Sequence, residues 1–159
     1  MNFIVRDANI NDYKDVSSLV KEVHQLHVEN RPDIYLPVEV PLNLNKYKQI
    51  LENKESFLFV IEDVTTNQVV AYSIIQIVET KNLHLLKPNK CLFIDDLCVK
   101  SSNQKSGLGR LLFNHIVEYA KLINITSIQL TVSEFNSKAI RFYESCGMNT
   151  RNRKMELHI

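Results

Sequence analysis

FIDDLCVKSSNQKSGLGRLLFNHIVEYAK, residues 93–121, is a mostly apolar strand that ends in a glycine-bearing turn and opens at once into a helix. Gly107 and Gly109 carry no Cβ, so the turn can adopt dihedrals that other residues resist and let a bulky group approach its backbone. The helix puts Leu108, Leu112, Ile116 and Tyr119 on one side and Arg110, Asn114, Glu118 and Lys121 on the other, the pattern of a helix lying on a sheet. The strand at 91–99 is apolar enough for burial on both faces. Residues 127–132, SIQLTV, form the next strand, and a helical link between the two implies a parallel pair with a right-handed crossover. The first-turn amides of such a helix lack intrahelical acceptors and carry the positive end of its dipole, so the turn is an anion site.

Working outward, residues 3–8 alternate as a strand, and Asn11 and Asp12 are good caps for a helix that runs to about Asn30. Tyr13, Val16, Leu19, Val20, Val23, Leu26 and His27 fall on one side of it. Residues 31–41 hold three of the four prolines and read as an irregular loop; residues 43–53 read as a short helix. Residues 57–79 spell two strands rich in β-branched and aromatic side chains, joined by a tight turn at 65–68, and residues 80–90 are a polar connection. Past the parallel strand comes a short helix capped by Asn136 and stopped at Gly147, then a last strand over about 152–158. The order is β-α-α-β-β-β-α-β-α-β, without repeat or linker, which makes residues 1–159 one domain.

Composition narrows the function. Lys and Arg number 19 against 18 for Asp and Glu, with no long block of one sign, so nucleic acid is not the expected partner. No apolar run is long enough to span a bilayer and the first residues lack a secretory core, which predicts a cytoplasmic protein without membrane association. Cys91, Cys98 and Cys146 are an odd count without metal-ligand spacing and read as reduced packing residues. No metal is expected. His24 and His27, three residues apart, share a helix face without the further ligands a metal needs.

Three phosphate loops compete for residues 104–109. A triphosphatase loop needs Lys followed by Ser or Thr after its last glycine, where this chain has Arg110-Leu111. A dinucleotide fingerprint needs a third small residue where Leu112 stands, and an earlier place in the chain. The third pattern is Gln or Arg, two residues, Gly, one residue, then Gly or Ala; Gln104-Lys105-Ser106-Gly107-Leu108-Gly109 matches it. About thirty residues on, Asn136, Ala139, Ile140, Phe142, Tyr143 and Gly147 spell N-x-x-A-I-x-F-Y-x-x-x-G. With both motifs the chain resembles the GNAT superfamily of acetyl-CoA-dependent N-acetyltransferases, over nearly its whole length.

The resemblance implies an α/β domain: a central mixed, mostly antiparallel sheet of six to seven strands, splayed between the fourth and fifth and flanked by about four helices. It implies acetyl-CoA as cosubstrate, with the pyrophosphate on the loop Gln104, Lys105, Ser106, Gly107, Leu108, Gly109 and Arg110, and the pantetheine arm on the backbone of Leu97, Cys98 and Val99. A strand amide there would also polarise the acetyl carbonyl. Tyr143 takes the family's acid position, giving a proton to the departing thiolate. Ordinary values of about 10 for a phenol and about 8.5 for a thiol make that transfer mildly uphill. Asn136 either caps its helix, touches the pantetheine, or does both.

An amine with a pKa near 10 must lose a proton before attack. Asp95 and Asp96 are the nearest acceptors, and alternation in a strand lets only one of them line the acceptor pocket; matching to polyamine-type members selects Asp95 as base, acting through water. His27, Arg31 and Tyr35, with Asp96, are candidate substrate contacts, and Asp33 adjoins them. The expected activity is direct acetyl transfer to a primary amine of a small molecule, by a protein of a family in which homodimers are common. Acylation of a protein or peptide amine, and a non-catalytic acyl-CoA-binding sensor, are the alternatives.

Overall fold

A computed structural model describes residues 2–80 and 84–159 of the chain. Its elements are β1 (Phe3–Asp7), α1 (Tyr13–Asn30), α2 (Leu44–Glu52), β2 (Ser56–Asp63), β3 (Gln68–Thr80), β4 (Asn89–Val99), α3 (Leu108–Leu122), β5 (Ile128–Leu130) and α4 (Ser137–Ser145). The strands form one mixed sheet in the order β1-β2-β3-β4-β5, antiparallel throughout except for the parallel β4–β5 pair. The sheet therefore has five strands among the described residues, where six to seven were expected.

Apolar side chains pack on both faces. Phe59, Ile61, Ile75, Leu92 and Ile94 meet Leu108, Leu112, Phe113 and Ile116 of α3, while Leu58, Val60, Tyr72, Ile74 and Cys98 meet Val16 and Leu19 of α1 and Tyr47 of α2. The expected inward side of α1 holds except at Leu26, which is exposed. Its start also differs. Asn9, not Asn11 or Asp12, provides the cap through a short 3-10 turn, its side chain accepting from the Asn11 amide. Asp12 instead receives Arg6 at 2.7 Å and the Asn9 amide at 2.8 Å.

The missing strand is the last one. Residues 149–159 have no regular structure, and Met155 and Leu157 are 88% and 86% exposed. A strand is defined by its partner's hydrogen bonds, and this segment is held by side chains: Arg151 donates to Gln129 at 3.1 Å, and Arg31 pairs with Glu156 at 2.6 Å. β5 is likewise three residues long where six were expected.

The cause of that shortening lies in β4. Ile94 pairs with Ile75 and Asp96 with Ile74, so Asp95 is an extra residue, a β-bulge. Before it, Leu92 and Ile94 face α3; after it, Leu97 and Val99 do, so the even-odd alternation reverses at Asp95. Backbone direction reverses too. Leu92 donates its N–H to Ser127 on the β5 side, whereas Lys100 donates to Val70 on β3. By that parity Asp96 and Cys98 turn their peptide groups to β3, and Leu97 and Val99 turn theirs to the β5 side, where pairing has already stopped at Ile94 with Leu130.

Candidate active site

The bulge opens a cleft between the departing strands. It is lined by Ile94, Asp95, Asp96 and Leu97 of β4, by residues 130–133, by Asn136, Ala139 and Tyr143, and by Val23 and His27 of α1, enclosing about 100 Å³. A larger hollow of about 400 Å³ lies among Val117, Ala120, Lys121, Asn124 and Ile125. It has no acid–base pair and sits about 14 Å further along α3 from the glycine turn, so the smaller cleft is the site with chemistry.

The glycine turn stands at the same end of β4. Gly107 takes φ 84° and Lys105 φ 61°, left-handed values that let the chain reverse into α3. Leu111 is the first residue to donate to a helix carbonyl, that of Gly107, at 3.0 Å, and α3 has no side-chain cap. The amides of Leu108, Gly109 and Arg110 are thus left without helical acceptors. Gly109 serves packing more than ligand approach: a Cβ there would lie 3.3 Å from the Phe142 ring and 3.7 Å from Val99 Cγ2. That contact seats the turn against both β4 and α4.

Several predicted loop contacts are spent internally. Gln104 donates its side-chain amide to the Val99 carbonyl at 3.3 Å, Ser106 donates to the Asn103 carbonyl, and the Arg110 guanidinium binds the Ser145 carbonyl and hydroxyl at 2.9 and 2.7 Å. Arg110 therefore presents its backbone to the turn while its charge neutralises the C-terminus of α4. Cys98, expected beside the cofactor, is buried in the core under α1 with its peptide group toward β3.

The two aspartates both border the cleft, against the expectation that only one would, because the bulge breaks the alternation on which that expectation rested. Asp95 accepts from the Gln76 side chain, and burial raises its pKa above the usual carboxylate range. Asp96 accepts from the Tyr72 hydroxyl, and burial raises it too, against the opposing pull of that hydrogen bond. Ser73 fixes the Asp96 carbonyl at 2.8 Å. Across the cleft, Tyr143 packs its ring at 5.1 Å from Phe142 and 6.3 Å from Phe113. Burial, then the Asp96 charge, pushes its phenol far above the ordinary value, so it stays protonated.

Asn136 caps α4 by accepting from the Ala139 amide at 3.1 Å and also lines the cleft. His27 donates from Nδ1 to the Val23 carbonyl at 2.9 Å, and its ring lies 5.0 Å from Tyr35 and 5.4 Å from Phe135. His24 reaches the other side of Tyr35 at 6.4 Å, so the two histidines do share a face. Arg31 and Asp33 pair at 2.8 Å beside Glu156 and do not line the cleft. Phe135, Thr131 and Ser133 were not singled out from the sequence; they enter only because β5 ends early and the chain after it folds over the cleft.

Burial holds the Cys98 thiol up to about 12, with the Asp96 and Glu22 charges adding to it, so it is no nucleophile at neutral pH. No cysteine is in a disulfide, and among the described residues no group of three or more His, Cys, Asp or Glu converges as metal ligands. No described helix is long and apolar enough to cross a membrane.

Known proteins share this fold. The family model described as the acetyltransferase (GNAT) family matches residues 20–148. Among solved structures, a mutant of the BH1408 protein from Bacillus halodurans is similar at 35% identity and TM-score 0.95, over 98% of this chain and 99% of that one. Glucosamine-6-phosphate N-acetyltransferase from Arabidopsis thaliana shares the fold at 20% identity and TM-score 0.73, over 99% of both chains. An aminoglycoside acetyltransferase from an uncultured soil metagenomic sample, in complex with sisomicin, does so at 14% identity and TM-score 0.68, over 99% of this chain and 95% of that one. With the family model matching residues 20–148 and these structures sharing the fold, the chain belongs to the GNAT family.

Proposed function

We propose that this protein transfers an acetyl group from acetyl-CoA directly to a primary amine of a small molecule. The observation that carries the reading is the bulge at Asp95, which leaves the Leu97 and Val99 N–H groups without a partner strand beside a cleft that also holds Tyr143 and two carboxylates. An extended amide-bearing arm can hydrogen-bond there as a substitute strand, and the residues fit coenzyme A on that ground. The free amides of Leu108, Gly109 and Arg110 hold its pyrophosphate, aided by Lys105 and by the dipole of α3. When bound, acetyl-CoA supplies an activated thioester.

The Leu97 or Val99 N–H donates to the thioester oxygen as it gains charge. Tyr143 donates to the leaving sulfur. Its raised pKa makes complete proton transfer more uphill than ordinary values suggest, so the phenol acts as a strong hydrogen-bond donor that completes the transfer late. Asp95 and Asp96 attract and hold the acceptor's ammonium group at the open end of the cleft. A buried, protonated Cys98 offers no acyl carrier, which favours direct transfer over a covalent relay.

Following thiol release from acetyl-CoA over polyamines, aminoglycosides, amino sugars, amino acids and peptides tests the reading. Acceleration by one class of small amine is expected. Acceleration by peptides alone would transfer the activity to protein amines, and coenzyme A uptake without any acceleration would make the protein a sensor.

A further inference from the structure

Resting on the acetyl-transfer reading above, we propose that His27, acting through Nε2, is the base that takes the acceptor's proton. Three observations converge. First, the ring borders the cleft together with Asp95, Asp96 and Tyr143. Second, Nδ1 lies 2.9 Å from the Val23 carbonyl, which can only accept, so Nδ1 carries the hydrogen and the neutral ring keeps its lone pair on Nε2. Third, the Tyr35 and Phe135 rings at 5.0 and 5.4 Å hold the imidazole in place.

Neither carboxylate suits the task as well. Asp95 is engaged by Gln76 and Asp96 by Tyr72. A neutral imidazole with a free ring nitrogen is the commonest side-chain acceptor in general base catalysis. Held by the Gln76 and Tyr72 donors at the edge of the cleft, the two aspartates are placed to anchor the ammonium. The groups around the ring are Asp95 and Asp96 from β4, Tyr143 from α4 and Tyr35 from the loop after α1, with His24 and Arg31 one turn away along α1 and Glu134 next to Phe135.

In the step, one N–H bond of the ammonium breaks, its electron pair stays on nitrogen and the proton joins Nε2 to give an imidazolium. The amine pair then forms the N–C bond at the thioester carbon. As the C–S bond breaks, its electron pair goes to sulfur, which takes the Tyr143 proton. The phenol is restored from the second proton on the new amide nitrogen through solvent. The net release is one proton, the one that His27 accepted and passes to water.

The test compares kcat/KM against pH for the wild type, His27→Gln and His27→Ala with the best acceptor of the panel, alongside acetyl-CoA affinity by calorimetry. Expected are unchanged acetyl-CoA affinity and a loss of about 10²-fold or more at neutral pH. That deficit should narrow as pH approaches the acceptor's own pKa, where free amine needs no base, and imidazole in solution should partly rescue His27→Ala. A deficit that is the same at every pH marks a packing role and overturns the proposal, as does no deficit. The same pH-dependent loss in Asp95→Asn, with His27→Gln unaffected, overturns it in favour of Asp95. A wild type inert toward every amine while acetyl-CoA binds sinks the acetyl-transfer reading and this inference together, a result distinct from failure of the histidine alone.

Discussion

Single residues set the chemistry through their surroundings. Tyr143 was identifiable from its place in the N-x-x-A-I-x-F-Y motif, but its raised pKa comes from burial and from Asp96 across the cleft, which no motif records. Tyr143→Phe should lower kcat by about 10²-fold or more while acetyl-CoA affinity in calorimetry stays put; full activity would remove the phenol from the mechanism. Asp96 makes the opposite kind of case. Its folded pKa lies above the unfolded one because burial disfavours the charge, so its contribution to stability is complete at low pH and is lost as pH rises through the folded value. Asp96→Asn should accordingly raise the urea midpoint at pH 7 and reduce turnover, and a lower midpoint would mean that the Tyr72 hydrogen bond outweighs the buried charge. The glycines divide their work. Gly109→Ala pushes a methyl against the Phe142 ring and should cost about 1–3 kcal/mol in denaturant titration. Gly107→Ala meets no atom and is strained by its positive φ alone.

At the scale of elements, β4 makes the site. One extra residue reverses its side-chain parity, turns the peptide groups of Leu97 and Val99 away from β3, and ends pairing with β5 after Leu130. The amides of Leu97 and Val99 should therefore exchange hydrogen faster than those of Asp96 and Cys98 in the free protein, and should slow when coenzyme A is added. Equal protection of all four amides in an NMR exchange experiment would contradict the register. The sequence showed β4, α3 and their junction, since an apolar run, a glycine turn and a helical period are local signals. It did not show the bulge. Asp95-Asp96 reads as ordinary strand, and which residue is extra depends on the β3 partners Ile74 and Ile75, a relation between two strands.

For the molecule as a whole, the link that ties the first strand to α1 is electrostatic. Arg6 bridges Asp12 and Glu62 at 2.7 and 2.6 Å. Burial pushes the Asp12 carboxyl up, but the Arg6 and Asn9 hydrogen bonds and the Arg6 charge bring it below the usual range. A depressed folded pKa gives stability that is present above the unfolded value, near 4, and lost as pH falls through the folded one. Asp12→Asn should thus lower the midpoint at pH 7, and the gap should close as pH falls through the folded value and the wild-type carboxylate becomes neutral; a gap of constant size would point to lost hydrogen bonds instead. The sequence by itself determined the two motifs, the helices, the hairpin and the βαβ crossover, because each is written in contiguous residues whose spacing or turn chemistry has one period. Tertiary structure alone decided that segment 152–158 joins no strand, that both aspartates reach one cleft, and that Tyr35 and Phe135 pack against His27 at its edge. Those outcomes depend on which backbone groups find partners across the sheet and where pairing stops, and a linear pattern carries no record of either.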